Sequence, residues 1–259
     1  MKIFALLLVS SIAVSAGNVW SSVRCSTSSL STNNTAEICS SDYHPDFFYS
    51  NGPFVTGIGI GSGGADVSEF QLGDDTYGFG FSISQGWMVA DCFTVPTGET
   101  WRVSEVTIFG YQTGSSTTPS INDIRLCIYD DAPTTGSIVY GNMMQNVLTS
   151  NSWTNCYRIN TGDYTNTDRP IMANLCYISS FTLTAGDYWL CFQAGGILGS
   201  GPWVNPVTIH GQPSSGVAMR YNAGWETLTQ GANGVTLPFL FETHYALSRT
   251  TWGEIKSLF

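Results

Sequence analysis

The sequence predicts an all-β protein, a β-sandwich of the jelly-roll kind with about ten short strands. Short segments with alternating apolar residues recur along the chain, and Asp123–Tyr129 and Asp187–Gln193 are the clearest of them. Gly, Pro, Asn and Asp separate these segments, and no convincing helical periodicity occurs before residue 245. Only 11% of the residues are charged. Ser, Thr, Asn and Gly supply most of the polarity instead, which is typical of strands and turns.

The first 16 residues have the pattern of a secretory signal peptide. Lys2 supplies the positive charge at the start, residues 3–14 are mostly apolar, and Val14-Ser15-Ala16 is a small-residue cleavage site. The apolar run is shorter than the roughly 20 residues that a membrane span needs. We therefore expect a secreted protein, extracellular or at the cell surface, with no transmembrane segment in the mature chain. Residues 17–45, rich in Ser, Thr and Asn, are expected to form a separate N-terminal segment.

Residues 46–245 have a suitable length for one β-sandwich domain. Their most apolar stretch, Met88–Gln112, is expected to form a β-hairpin whose turn contains Pro96 and Gly98. The alternation of apolar residues breaks at Ser104 and Glu105, which predicts a β-bulge there.

The remaining segments are predicted from the same alternation. A second turn is expected at Ala185-Gly186, between two strands. Other strands are expected at residues 137–140, 156–159, 175–181, 207–210, 217–221 and 237–243. Residues 246–259 differ in character, since Trp252, Ile255 and Leu258 have amphipathic spacing. We expect this tail to be a detachable export or anchoring signal. The alternatives are a short helix or docking segment that packs on the core, and a disordered tail.

Charge and motifs exclude several functions. The net charge is −10, so a phosphate backbone would be repelled and nucleic acid is not an expected partner. The glycine-rich run at residues 57–64 is not followed by Gly-Lys-Ser/Thr, and HExxH and GxSxG are absent. No catalytic residue can therefore be named. Acid pairs for glycoside hydrolysis remain an open alternative, because sequence cannot choose among many Asp and Glu residues.

Seven cysteines predict disulfide bonds in an exported chain, and their odd number leaves at least one over unless it pairs between chains. Cys127 and Cys191 each lie opposite the aliphatic face of a clear strand, so a cross-strand bridge is expected if those strands are neighbours. The other expected pairs are Cys156 with Cys176 and Cys25 with Cys39, which leaves Cys92 unpaired. Spacing alone does not determine this connectivity.

Paired aspartates are the candidate metal ligands. Asp130-Asp131 follows a strand, and Asp74-Asp75 lies in a predicted turn. Their carboxylates are the oxygen ligands that Ca²⁺ prefers, although no EF-hand loop is present. The alternative is that these are solvated turn residues. No other cofactor is expected.

Two of the eight tryptophans are candidate ligand-binding residues, because they lie in predicted loops. Trp203 follows Gly201-Pro202, and Trp225 follows Gly224. Exposed aromatic rings stack on the apolar faces of sugars. Neighbouring amides are candidates for contacts with sugar hydroxyls; they are Asn205, Gln212 and Asn222. The alternative is that both rings cap the end of the core.

Several motifs together resemble one family of uncharacterised secreted bacterial β-sandwich domains. They are N-G-P-F-V-T at 51–56, G-G-A-D-V-S at 63–68, T-Y-G-F-G at 76–80, A-D-C-F-T-V-P at 90–96, F-G-Y-Q-T-G at 109–114, R-P-I-M at 169–172, A-G-D-Y-W-L at 185–190 and S-G-P-W-V-N-P-V-T-I at 200–209. The tail resembles a Trp-Gly-x-Ile-Lys ending found on exported bacterial proteins. The resemblance implies fold and export, and it implies no particular activity. Family members usually have other residues at positions 92, 127 and 191, so the cysteines look like a local addition.

The predicted function is a secreted, non-catalytic β-sandwich module with a structural, adhesive, surface or matrix role. The alternative is a carbohydrate-binding module or an extracellular hydrolase that acts on polysaccharide. Glycans or extracellular matrix are the expected partners.

Overall fold

A computed structural model describes residues 47–71 and 73–242, and the regular secondary structure of this part of the chain consists almost entirely of β-strands. No α-helix occurs within it, so the all-β prediction is confirmed. The strands are β1 (Phe47–Ser50), β2 (Asp66–Phe70), β3 (Phe79–Gly80), β4 (Met88–Gly110), β5 (Ile121–Tyr129), β6 (Ile138–Asn142), β7 (Leu148–Asn160), β8 (Pro170–Gly196), β9 (Trp203–Val204), β10 (Met219–Tyr221), β11 (Trp225–Thr227), β12 (Thr229–Gln230), β13 (Asn233–Gly234) and β14 (Phe239–Glu242). Two 3-10 helices, Ser62–Gly64 and Ile83–Gln85, interrupt them.

Two long antiparallel strands, β4 and β8, form the centre of a ten-stranded sheet. The predicted hairpin at Met88–Gln112 is wrong, because residues 88–110 form one strand that pairs with β8 along its length. Val95 pairs with Gly186 and Thr100 with Thr184, so the four residues between them lie opposite Ala185 alone. The turns predicted at Pro96–Gly98 and at Ala185-Gly186 therefore lie opposite each other in one irregular part of the β4–β8 pair. The sequence did not distinguish the two cases, because Pro and Gly beside a break in alternation occur in bulges as well as in turns.

The two halves of these strands have different neighbours. The first half of β4 pairs with β10, and the corresponding half of β8 pairs with β5. Beyond the bend, β4 pairs with β14 and β8 pairs with β7. The edges of the sheet are completed by β11 beside β10, β6 beside β5, β1 beside β14, and β2 parallel to β7.

Both halves bury one face in the same hydrophobic core. Val89, Phe93 and Val95 enter it from the first half of β4, while Val106 and Ile108 enter it from the second half. The change from odd to even positions coincides with a register shift between Val103 and Glu105, where Ser104 alone lies opposite residues 178–180 of β8. The predicted bulge in the pairing is therefore confirmed at this position. Because the sheet curls over this cluster, its two halves face each other across one core.

Other strand predictions differ in detail. Residues 207–210 form no strand, and the nearby strand is the two-residue β9. The expectation of short strands is wrong for β4 and β8, which have 23 and 27 residues. The signal peptide at 1–16, the segment at 17–45, the tail at 246–259 and the pair Cys25 and Cys39 lie outside the described residues. Within the described ranges, no helix has the length and apolarity that crossing a membrane requires.

The two cystine bridges predicted within the described part are not formed. Cys127 lies directly opposite Cys191 on β5 and β8, as expected for neighbouring strands, but both are free thiols. Opposed residues have Cβ atoms about 4.5–5.5 Å apart, and a disulfide prefers about 3.8 Å. Cys176 lies in the central core and Cys156 in a separate cluster, so no bridge joins them. Cys92 differs from these four cysteines, because it is disulfide-bonded and is not a free thiol, so the expectation that it is unpaired is wrong.

Candidate functional site

A groove of about 720 Å³ opens at one end of the sheet, where β4 begins and β8 ends. This volume lies within the range of small-molecule sites, about 300–1,000 Å³. Apolar and polar side chains both contribute to its wall. The lining residues are Ser82, Ile83, Ser84, Gln85, Trp87, Asn122, Asp123, Gly195, Gly196, Leu198, Gly199, Ser200, Gly201, Pro202 and Trp203.

Trp87 is positioned by the tight turn that precedes β4. The 3-10 helix Ile83–Gln85 ends at Gly86, whose left-handed conformation (φ 68°) favours glycine. The amide of Trp87 then donates a hydrogen bond of 3.0 Å to the carbonyl of Ser82. The chain therefore reverses over six residues, and the indole ring lies at the groove instead of continuing the alternation of β4.

Trp203 is held by backbone pairing on both sides. Its amide and carbonyl form a reciprocal pair of hydrogen bonds with Tyr111, each 2.8 Å long. It also lies opposite Gly80 in the β3–β9 pair. A Cβ atom at Gly80 would overlap the ring of Trp87 and touch that of Trp203. The absence of a side chain there lets both indoles approach the same place.

The two indole rings form an inclined aromatic pair. Their centroids are 6.4 Å apart and their planes meet at 43°. Both residues are half-buried, so part of each ring is accessible from the groove. An indole of this kind offers apolar area together with an N–H donor. The two rings therefore form an aromatic surface that is inclined rather than flat.

Polar groups of β5 also line the groove. Asn122 is exposed, and Asp123 is held by Arg125, whose Nη2 lies 2.9 Å from its Oδ2. A further hydrogen bond of 3.2 Å runs from Arg125 Nε to the same oxygen. The positive charge of Arg125 offsets the negative charge of Asp123, which is the one acidic side chain in the lining. The groove is therefore suited to a neutral, hydroxyl-rich ligand.

The loop that closes the groove is held by the buried side chain of Gln112. Its Nε2 donates a hydrogen bond of 2.9 Å to the carbonyl of Leu198, and its Oε1 accepts one of 3.2 Å from the Leu198 amide. The first residue of this loop is also fixed, because the amide of Ile197 donates a hydrogen bond to the carbonyl of Ser120. The groove wall is thus held in place without a ligand, which lowers the ordering cost of binding.

The predicted ligand-binding residues do not all meet at one place. Trp203 lines the groove, whereas Trp225 is absent from the lining and packs edge-on against Tyr221, at a centroid distance of 5.5 Å. Asn205 is fully buried, and its Nδ2 donates to the carbonyl of Pro206. Asn222 and Gln212 are exposed and lie outside this lining.

The candidate metal ligands make local contacts. Asp130 accepts a hydrogen bond from the Ser137 amide, and Asp131 accepts one from the Thr135 hydroxyl, so both close the loop after β5. Asp74 accepts one from the Gln71 amide, while Asp75 is exposed. Across residues 47–71 and 73–242, no three His, Cys, Asp or Glu residues are grouped to hold a metal ion.

Trp87, Gly80 and Asp123 were not identified from the sequence. Trp87 directly precedes a strand and follows Gly86, and that position is the signal available for it. Gly80 lies within the T-Y-G-F-G motif, and the sequence around it does not indicate that it contacts two tryptophan rings. Asp123 begins the alternating segment Asp123–Tyr129 within β5, and this pattern identifies it only as a strand residue.

Comparison with known proteins adds no name to this site. No family model, no curated protein and no solved structure matches the chain. The resemblance based on eight short motifs therefore stays a prediction, and the function must be inferred from the groove itself.

Proposed function

We propose that this protein is an exported, non-catalytic β-module with an adhesive or matrix role, and that it binds neutral glycan in the groove at Trp87 and Trp203. The observation that carries the proposal is the pair of half-buried indoles in one groove with amide and hydroxyl groups around them. Stacking of aromatic rings on sugar faces, with hydrogen bonds to hydroxyls at the rim, is the chemistry that this combination favours.

The lining favours binding over hydrolysis. Glycoside hydrolysis uses two carboxyl groups about 5–9.5 Å apart. The groove presents Asp123 alone, and that carboxylate is ion-paired with Arg125. One carboxyl group cannot supply both the acid and the base or nucleophile that this reaction requires. A hydrolase is therefore the weaker of the two candidate functions.

The angle between the two rings favours a soluble glycan chain over a crystalline glycan surface. A flat crystalline surface is matched by aromatic rings in one plane, whereas these two planes meet at 43°. A single chain can follow such a surface by turning between successive sugar rings. We therefore expect soluble, neutral polysaccharide to compete for the groove more effectively than a crystalline polymer of the same sugar.

Trp87→Ala and Trp203→Ala are each expected to weaken glycan binding by at least about tenfold, since a buried aromatic anchor contributes about 2 kcal/mol or more. Affinity electrophoresis on glycans selected from an array measures this change. Trp225→Ala is the matched control, because the same residue type is removed outside the groove. Its affinity should equal that of the parent protein.

The circular dichroism spectrum of each variant shows whether the fold survives. Gly80→Ala offers a milder test, since an added methyl group displaces the Trp87 ring without removing either indole. Equal losses in the Trp203 and Trp225 variants would contradict the proposed site. If the folded parent protein retains no glycan at all, the binding proposal fails and only a structural role is left.

A further inference from the structure

Cys127 and Cys191 form a thiol pair on the outer face of the sheet, away from the central core. Their strand neighbours Leu126, Ile128, Leu190 and Phe192 all enter that core. Because side chains alternate along a strand, the two cysteines point to the other face. They lie directly opposite each other in the β5–β8 pair, so both thiols occupy the same position on that face.

The surroundings of the pair are apolar and rich in sulfur. Both thiols are fully buried, together with Ala90 and Trp189. Met219 belongs to the same buried cluster, and Met88 and Met143 pack against it. Thioethers and thiolates are the soft ligands that select Cu(I) among biological metals.

The spacing suits a shared metal ion better than a disulfide. Opposed Cβ atoms stand about 4.5–5.5 Å apart, so an S–S bond requires the strands to approach. Two metal–thiolate bonds of about 2.3 Å each span about 4.6 Å between sulfur atoms. Directly opposed cysteines are therefore placed to share one ion without a change in strand pairing.

We propose that Cys127 and Cys191 form a site for one soft, low-coordinate metal ion, represented by Cu(I). Zn²⁺ prefers four ligands, and no third His, Cys, Asp or Glu joins the pair within the described ranges. Two S–H bonds break, two Cu–S bonds form and two protons pass to solvent. The oxidation state of copper and sulfur does not change.

The test uses the full chain, reduced and kept without oxygen, with Cu(I) supplied as its complex with a coloured chelator. Transfer of the ion to the protein is read from loss of the chelator's absorbance. The number of ions bound per chain is expected to fall by one in Cys127→Ser and equally by one in Cys191→Ser. Cys176→Ser is the matched control and should leave the number unchanged, because that thiol lies in the central core.

Copper-edge X-ray absorption gives an independent readout, since it should show sulfur ligands that disappear in either variant. Where a serine variant does not fold, Cys127→Ala and Cys191→Ala replace it, because alanine leaves no polar group buried. Unchanged binding in folded variants at both positions would overturn the proposal. A peptide containing a Cys127–Cys191 disulfide, isolated from protein purified without reductant, would also overturn it.

Discussion

Arg158→Met is expected to lower the free energy of unfolding by about 3–5 kcal/mol, the range for breaking a buried charged network. The guanidinium is fully buried. Its Nε donates to the carbonyl of Tyr77 at 2.9 Å, and its Nη1 donates to Ser68, Glu69 and Thr208 at 2.9–3.2 Å. Methionine fills much of the volume but leaves each of these acceptors without its donor, which is costly inside a protein.

The network matters because it joins segments that are distant in sequence. Arg158 lies on β7, opposite Ser68 of β2, and it also reaches the loop that carries Tyr77 and the segment that carries Thr208. Its Nη2 lies 3.6 Å from Oδ2 of Asp74, so the buried positive charge has a carboxylate beside it. This explains one of the aspartates that the sequence marked as a metal ligand: Asp74 supports Arg158.

Chemical denaturation of the parent and the variant measures the effect. Arg220→Met is the matched control, since Arg220 pairs with Glu226 at 2.6 Å on an exposed surface. An exposed ion pair contributes about 0–1 kcal/mol. Similar losses at the two positions would show that the buried hydrogen bonds of Arg158 contribute little.

Asp91 is expected to make the protein less stable as the pH rises from about 4 to about 7. Burial raises the pKa of Asp91 from 3.8 to about 7, although three donors lower it: the Leu237 amide, the Cys92 amide and the side chain of Asn51. The folded protein therefore holds the proton more tightly than the unfolded chain does. The stabilisation is complete below pH 4 and is lost as the pH passes through about 7.

The expected size is on the order of 4 kcal/mol, because each pKa unit corresponds to about 1.36 kcal/mol. Asp91→Asn should remove this slope, since asparagine does not titrate. Unfolding free energies of both proteins at intervals between pH 4 and pH 8 provide the measurement. The difference between them isolates position 91, because every other titrating group is common to both. Parallel curves would contradict a raised pKa for Asp91.

The local pattern of residues determined much of the fold. Alternation in Asp123–Tyr129 and Asp187–Gln193 placed Ile124, Leu126, Leu190 and Phe192 on one face, and all four enter the central core. The same alternation placed Cys127 and Cys191 on the other face, where they are found. The change of parity at Ser104 and Glu105 indicated the bulge. These features can be predicted from the sequence, because successive side chains of a strand point to opposite faces and neighbouring residues alone determine this alternation.

Tertiary structure decided everything that depends on which segments meet. Pro96 and Gly98 permit either a hairpin turn or a bend, and only pairing with β8 makes them part of one long strand. Trp203 and Trp225 have the same loop context, yet Trp203 meets Trp87 beside Gly80 and Trp225 meets Tyr221. A shared groove depends on contacts between residues more than a hundred positions apart. Sequence proximity carries no information on such contacts, because chain topology brings the segments together.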